Sequence, residues 1–136
     1  MTTALLFVAG CGGPVSYPVQ GRVVFSDTGQ PAKELVGYAV TLETFEPTAD
    51  GMRVSGSGEI DSAGSFTLST YGLGDGAAPG KHHVTITAPQ QDGDGPPIKW
   101  LIDKRYGDPE QSQLEVEIVP GENHPVLKVE RAKRDP

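Results

Sequence analysis

The sequence predicts an all-β fold, a sandwich of two antiparallel sheets, on three observations. Its 136 residues include 18 glycines and 12 prolines against 36% hydrophobic residues, a balance that favours short elements and many turns over a helical bundle. About seven short segments alternate apolar and polar side chains, the period of a half-buried strand. Turn-forming residues separate these segments along the whole chain. The length suits one domain with its own core, and no fixed period of self-similarity suggests a repeat array.

The first strand begins near Val19. Gly21, Val23 and Phe25 share one face, and Gln20, Arg22 and Val24 the other, before Asp27-Thr28-Gly29 turns the chain ahead of Pro31. In the second strand Tyr38, Val40 and Leu42 alternate with Ala39, Thr41 and Glu43, ending near Pro47, and residues 49–52 form the next turn. Residues 55–60 read as a third strand weakened by glycine. Asp61-Ser62-Ala63-Gly64 then connects tightly into Phe66 and Leu68 on strand four, so that strands three and four form a hairpin. A loop at residues 71–80 holds four glycines and one proline. Val84 and Ile86 define strand five, with His82 on their side and His83, Thr85 and Thr87 opposite. After a second long loop at residues 89–97, residues 100–106 read as a brief helical turn. Leu114, Val116 and Ile118 mark strand six, and Leu127 with Val129 strand seven. Thr41, Glu43, Thr67, Glu115 and Glu117 fall on outer, solvated rows.

The only cysteine, Cys11, closes the run Leu5-Leu6-Phe7-Val8-Ala9-Gly10 and is followed by Gly12, Gly13 and Pro14. This is the grammar of a bacterial lipoprotein: small residues before the cut let an extended backbone enter a signal peptidase, and the thiol becomes the point of lipid attachment. The expected organisation is therefore a truncated signal segment at residues 1–10, which lacks the usual Lys or Arg, and a lipidated Cys11 with a flexible tether at 11–18. The sandwich follows at 19–130, and a charged, frayed tail at 131–136. A competing reading makes residues 5–9 a short buried strand and Cys11 a core thiol. The apolar run ends by Gly10, far short of the roughly 20 residues a spanning helix needs. Lipidation places the protein in the cell envelope, fixed to a membrane and facing the periplasm or the exterior. Net charge is −7 with no charged residue in the first ten, a surface that repels nucleic acid. With its one thiol assigned to lipid, the chain forms no internal disulfide.

The stretch Gly58-Glu59-Ile60-Asp61-Ser62-Ala63-Gly64-Ser65-Phe66-Thr67-Leu68 resembles the Asp-x-x-Gly-x-Phe signature of carboxypeptidase regulatory-like, or transthyretin-like, domains. Val19-x-Gly21-x-Val23, Pro79-Gly80-Lys81, and Tyr106-x-Asp108-Pro109-Glu110-x-Ser112-x-Leu114 with Gly121 and Asn123 are similar to small lipoproteins abundant in planctomycete bacteria. The resemblance covers residues 19–129. It implies a seven-stranded transthyretin-like antiparallel β-sandwich without catalytic residues, and it puts His82 where those lipoproteins usually carry an aromatic. Independently of any family, Asp61 can accept hydrogen bonds across its turn, Gly64 can take a positive φ and Phe66 can enter the core.

Other candidate sites are weaker. His82 and His83 are adjacent, so on a strand they point to opposite faces and do not close on one metal ion, and His124 lies at a turn beside Pro125. Asp92-Gly93-Asp94-Gly95 starts like a calcium loop, but Pro96 and Pro97 interrupt it and no glutamate stands at the required distance. No Gly-x-Ser-x-Gly elbow is present. A transthyretin-like hydrolase using His82 or His124 as base would also need a C-terminal Tyr-Arg-Gly-Ser motif, which this chain lacks. Trp100, Tyr106 and Tyr71 could form an aromatic surface for a sugar or peptide; alternatively Trp100 and Leu101 fold back over an open end of the sandwich. The sequence-based expectation is a non-enzymatic, lipid-anchored envelope protein with no cofactor or metal. Its partners are the membrane and an unspecified envelope protein or glycan. The alternatives are a carbohydrate- or peptide-binding surface protein using the loop aromatics and, after it, a transthyretin-like hydrolase.

Overall fold

Alternation along the chain becomes alternation across two sheets. The computed structural model describes residues 15–47, 53–89 and 100–132. Seven strands are present among them: β1 (Gln20–Phe25), β2 (Ala39–Thr44), β3 (Ser55–Glu59), β4 (Ser65–Thr67), β5 (Gly80–Thr87), β6 (Leu114–Ile118) and β7 (Val126–Val129). Three form one sheet in the order β4-β1-β7, and four form the other in the order β3-β2-β5-β6. Val23, Phe25, Phe66, Leu127 and Val129 of the smaller sheet meet Val40, Leu42, Val84, Ile86 and Ile118 of the larger in one buried cluster. The protein is thus an all-β, two-layered sandwich.

One ladder departs from the antiparallel expectation. β1 pairs antiparallel with β4, placing Gly21 opposite Phe66, but parallel with β7, placing Val23 opposite Leu127. Parallel neighbours need a long connection, and here every other strand lies between the two. Local alternation carries no information about strand direction, so the pairing was invisible to it.

β3 and β4 likewise do not make the expected hairpin. The two hydrogen bonds here, Ser57 N to Ser69 O at 3.0 Å and Ser69 N to Ser57 O at 2.9 Å, join β3 to Ser69, two residues beyond the end of β4. The two strands belong to different sheets, so the turn between them is a corner of the sandwich. Gly58 makes the corner possible, because a Cβ there would run into the Thr67 carbonyl oxygen. What read as a strand weakened by glycine is a site of close backbone approach.

Both ends of the body are tied more firmly than expected. Tyr17 is outside any free tether: its N–H donates to Ala77 O at 2.9 Å, and Ala77 N–H donates back to Tyr17 O at 3.0 Å. Asn123 fastens the entry to β1, its amide donating to Val119 O at 3.0 Å and accepting from Val119 N at 3.1 Å, while Gln20 N–H donates to Asn123 O at 3.0 Å. At the other terminus Arg131 is pinned rather than frayed. Its guanidinium lies 3.7 Å from the centre of the Phe25 ring and 3.0 Å from Asp27, and Ala132 N–H donates to Leu101 O. Residues 133–136 lie outside the described part.

Among the described residues two 3-10 turns accompany the strands, Lys33–Leu35 and Lys104–Gly107. The second begins four residues later than the helical turn expected from Trp100, where the Asp103 side chain accepts from Arg105 N at 3.0 Å. Downstream, Asp108 and Ser112 organise the approach to β6. Asp108 Oδ1 accepts from Glu110 N at 2.9 Å, and the buried Ser112 hydroxyl donates to Val84 O at 2.6 Å. Among the described residues, no helix is long and apolar enough to cross a membrane.

Candidate functional site

The residues singled out from sequence fall into separate parts of the molecule. Cys11 and the Asp92-Gly93-Asp94-Gly95 segment lie outside the described residues. The Asp61 turn is built from its own backbone: Oδ1 accepts from Ala63 N and Ser65 N, both at 2.9 Å. Gly64 sits at φ 80°, and Phe66 is buried immediately beyond it. These contacts give Asp61 a turn-forming role.

Trp100, Tyr106 and Tyr71 do not form one surface. Tyr106 is only 2% exposed, and its hydroxyl accepts from Arg105 Nη2 and Glu130 N, both at 2.9 Å. Burial turns its ring into core material, so it offers no face to a ligand. Trp100 packs edge-on to Tyr38 with ring centres 6.3 Å apart, and the Tyr38 hydroxyl accepts from Leu101 N at 2.9 Å. This segment folds over the end of the sandwich where β2 begins and β5 ends. Tyr71 stands apart, half-exposed in the loop that leads into the start of β5.

The histidines are equally dispersed. His83 stacks on Phe45 on the outer face of the larger sheet, with ring centres 3.9 Å apart. His124 Nδ1 is 3.1 Å from Gln20 O, beside the smaller sheet. His82 is completely buried, its Nε2 lying 2.7 Å from Ala78 O. That contact requires the proton on Nε2, so Nδ1 is left as a bare acceptor, and it finds no hydrogen-bond partner. Burial pushes the imidazole below its ordinary value, against the backbone of Ala78 and, more weakly, Leu42. Among the described residues no three His, Cys, Asp or Glu side chains are grouped to hold a metal ion.

A titration prediction follows from His82. The unfolded chain takes up the imidazole proton at higher pH than the folded chain does. This contribution to stability is therefore complete above about pH 6.5 and is lost as pH falls below it toward the lowered folded value. Denaturation midpoints measured from about pH 7.5 down to about pH 5 should decline, and His82→Phe should flatten that decline. An unchanged pH slope in His82→Phe would contradict it.

A shallow polar groove of about 480 Å³ runs along the smaller sheet, lined by Gln20, Arg22, Asp61, Ser65, Thr67 and His124 among others. It offers one guanidinium and several hydrogen-bonding groups, and Asp61 is already engaged with backbone. Phe66 is turned into the core, so the exposed ring that the groove offers is the imidazole of His124.

Sequence reasoning missed Asp75. Its carboxylate accepts from Thr70 N at 2.8 Å and from Tyr71 N and Gly72 N at 3.0 Å each. The Thr70 bond foremost, with those from Tyr71, Gly72 and the Ser16 side chain, holds the carboxyl below its ordinary value despite some desolvation. An aspartate among four glycines was the available signal, since such a loop needs an acceptor for its free N–H groups. No protein-family model, curated protein or solved structure matches this chain.

Proposed function

We propose that this protein is a lipid-anchored cell-envelope protein, facing the periplasm or exterior, whose sandwich is a non-enzymatic binding or structural module of the carboxypeptidase regulatory-like, transthyretin-like type. The observation that carries the reading is Cys11 at the end of Leu5-Leu6-Phe7-Val8-Ala9-Gly10. The ordered body lends it support, because Tyr17 is already paired with Ala77 six residues further on. An acylated Cys11 would thus hold a folded domain close to a bilayer, and two or more chains, at about 0.8 kcal/mol per buried methylene, would hold it durably. Seven strands divided three and four support the finer fold assignment.

The geometry gives a hydrolase little to work with. His82 is enclosed by the core and bonded to a carbonyl, while His124 turns one ring nitrogen to the Gln20 carbonyl. In a chain carrying a complete signal, radiolabelled palmitate should enter the parent protein and not Cys11→Ser. Equal labelling of the two would overturn the anchored reading.

A further inference from the structure

The loop before β5 is built to hold apolar side chains out in water. Asp75 clamps the N–H groups of Thr70, Tyr71 and Gly72, the Ser69 hydroxyl accepts from Gly74 N at 2.7 Å, and the Thr70 hydroxyl donates to Gly76 O at 2.7 Å. On this scaffold Leu73 is fully exposed and Tyr71 is 49% exposed. An exposed leucine at the apex of a braced loop, with an aromatic two residues away, is a small apolar tip that water solvates poorly.

The tip sits where the chain arrives from Cys11. Tyr17 pairs with Ala77, the Ser16 side chain hydrogen-bonds to Asp75, and Val15, next to it, is half-exposed. Tyr17 is the sixth residue after Cys11, and extended chain covers at most about 3.6 Å per residue, so the two backbones lie within about 22 Å of each other. Acyl chains on that thiol would bring this end of the sandwich toward the lipid surface.

We propose that Tyr71 and Leu73 form a membrane-contacting tip that enters the interfacial zone of the bilayer in which Cys11 is anchored. This rests on the lipid-anchored reading. Leucine supplies an apolar side chain for the acyl boundary, and tyrosine an amphipathic ring suited to headgroup depth. With a net charge of −7, the contact depends on apolar insertion rather than on attraction to anionic lipid. The tip would act as a second attachment, fixing the orientation of the body on the membrane.

The test uses the full acylated chain, produced with a complete signal and reconstituted into phosphatidylcholine and phosphatidylethanolamine vesicles with brominated acyl chains. Leu73→Trp adds one indole at the tip, and the parent, whose only tryptophan is Trp100, provides the reference emission. The additional emission of Leu73→Trp should be blue-shifted and quenched by bromine, while that of the parent should not change. If the protein floats with the vesicles and the added emission is neither shifted nor quenched, the tip proposal fails and the anchored reading stands. If the chain isolated from membranes carries no acyl group and does not float, both fail.

Discussion

Gly76→Ala is expected to destabilise the protein by about 3 kcal/mol, measured by chemical denaturation. Gly76 has φ 96°, a conformation that costs an L-residue roughly 1–2 kcal/mol. A Cβ there would also run into the Tyr17 carbonyl oxygen and press on Pro18. Because the obstacle is backbone, no rotamer change relieves it. The cheapest relief is for Tyr17 to leave Ala77, which sacrifices two hydrogen bonds worth about 1 kcal/mol each. Amide exchange should therefore accelerate at Tyr17 and Ala77 ahead of the β2 and β5 amides. Gly29→Ala is the matched control, with φ 72° and open space around its Cβ, and should cost only about 1–2 kcal/mol. Equal losses in the two variants would refute the role given to close approach.

Phe66→Ala is expected to cost about 3–5 kcal/mol, the range for truncating a buried phenylalanine. Phe66 is 2% exposed and stands opposite Gly21 on β1, its ring occupying the space a side chain there would take. A Cβ on Gly21 would lie 2.5 Å from Phe66 Cζ and 2.7 Å from Pro125 O. Removing the ring thus leaves a void over bare glycine backbone that no neighbour on β1 can fill. Gly21→Ala alone should destabilise through overlap with the ring. The double variant should cost less than the sum of the two, because the new methyl then enters vacated space and only the Pro125 conflict persists. Strict additivity would show that the two residues do not share this space.

Much of the architecture was legible because period-2 patterning is local. The inward sets Val23 and Phe25, Val40 and Leu42, and Val84 and Ile86 were readable from alternation, and so was the placement of His82 on the inner face of its strand. The Asp61 turn could be read as well, since Asp61 and Gly64 act within a few residues of each other. What alternation could not convey was partnership. Gly58 looks the same in a weak strand as at a corner where Thr67 crosses close by. Arg131 looks like a frayed tail until Phe25, Asp27 and Glu34, about a hundred residues earlier, are folded beneath it. Tyr106 passed for a loop aromatic because neither Arg105 nor the distant Glu130 N–H reveals from sequence that the ring lies in the core.

The parallel seam between β1 and β7 makes the smaller sheet the last part of the fold that can be completed. β1 is the first strand of the seven, yet one of its two flanks remains vacant until residues 126–129 reach it. A ribosome or a translocation channel still holding those residues would leave Val23 and Phe25 without their Leu127 and Val129 covering, so β1 remains open on that flank until residues 126–129 have emerged. Closure between such distant segments is entropically slow. That delay would keep the polypeptide threadable for longer, a useful property in any protein that must cross one barrier before it takes its final shape.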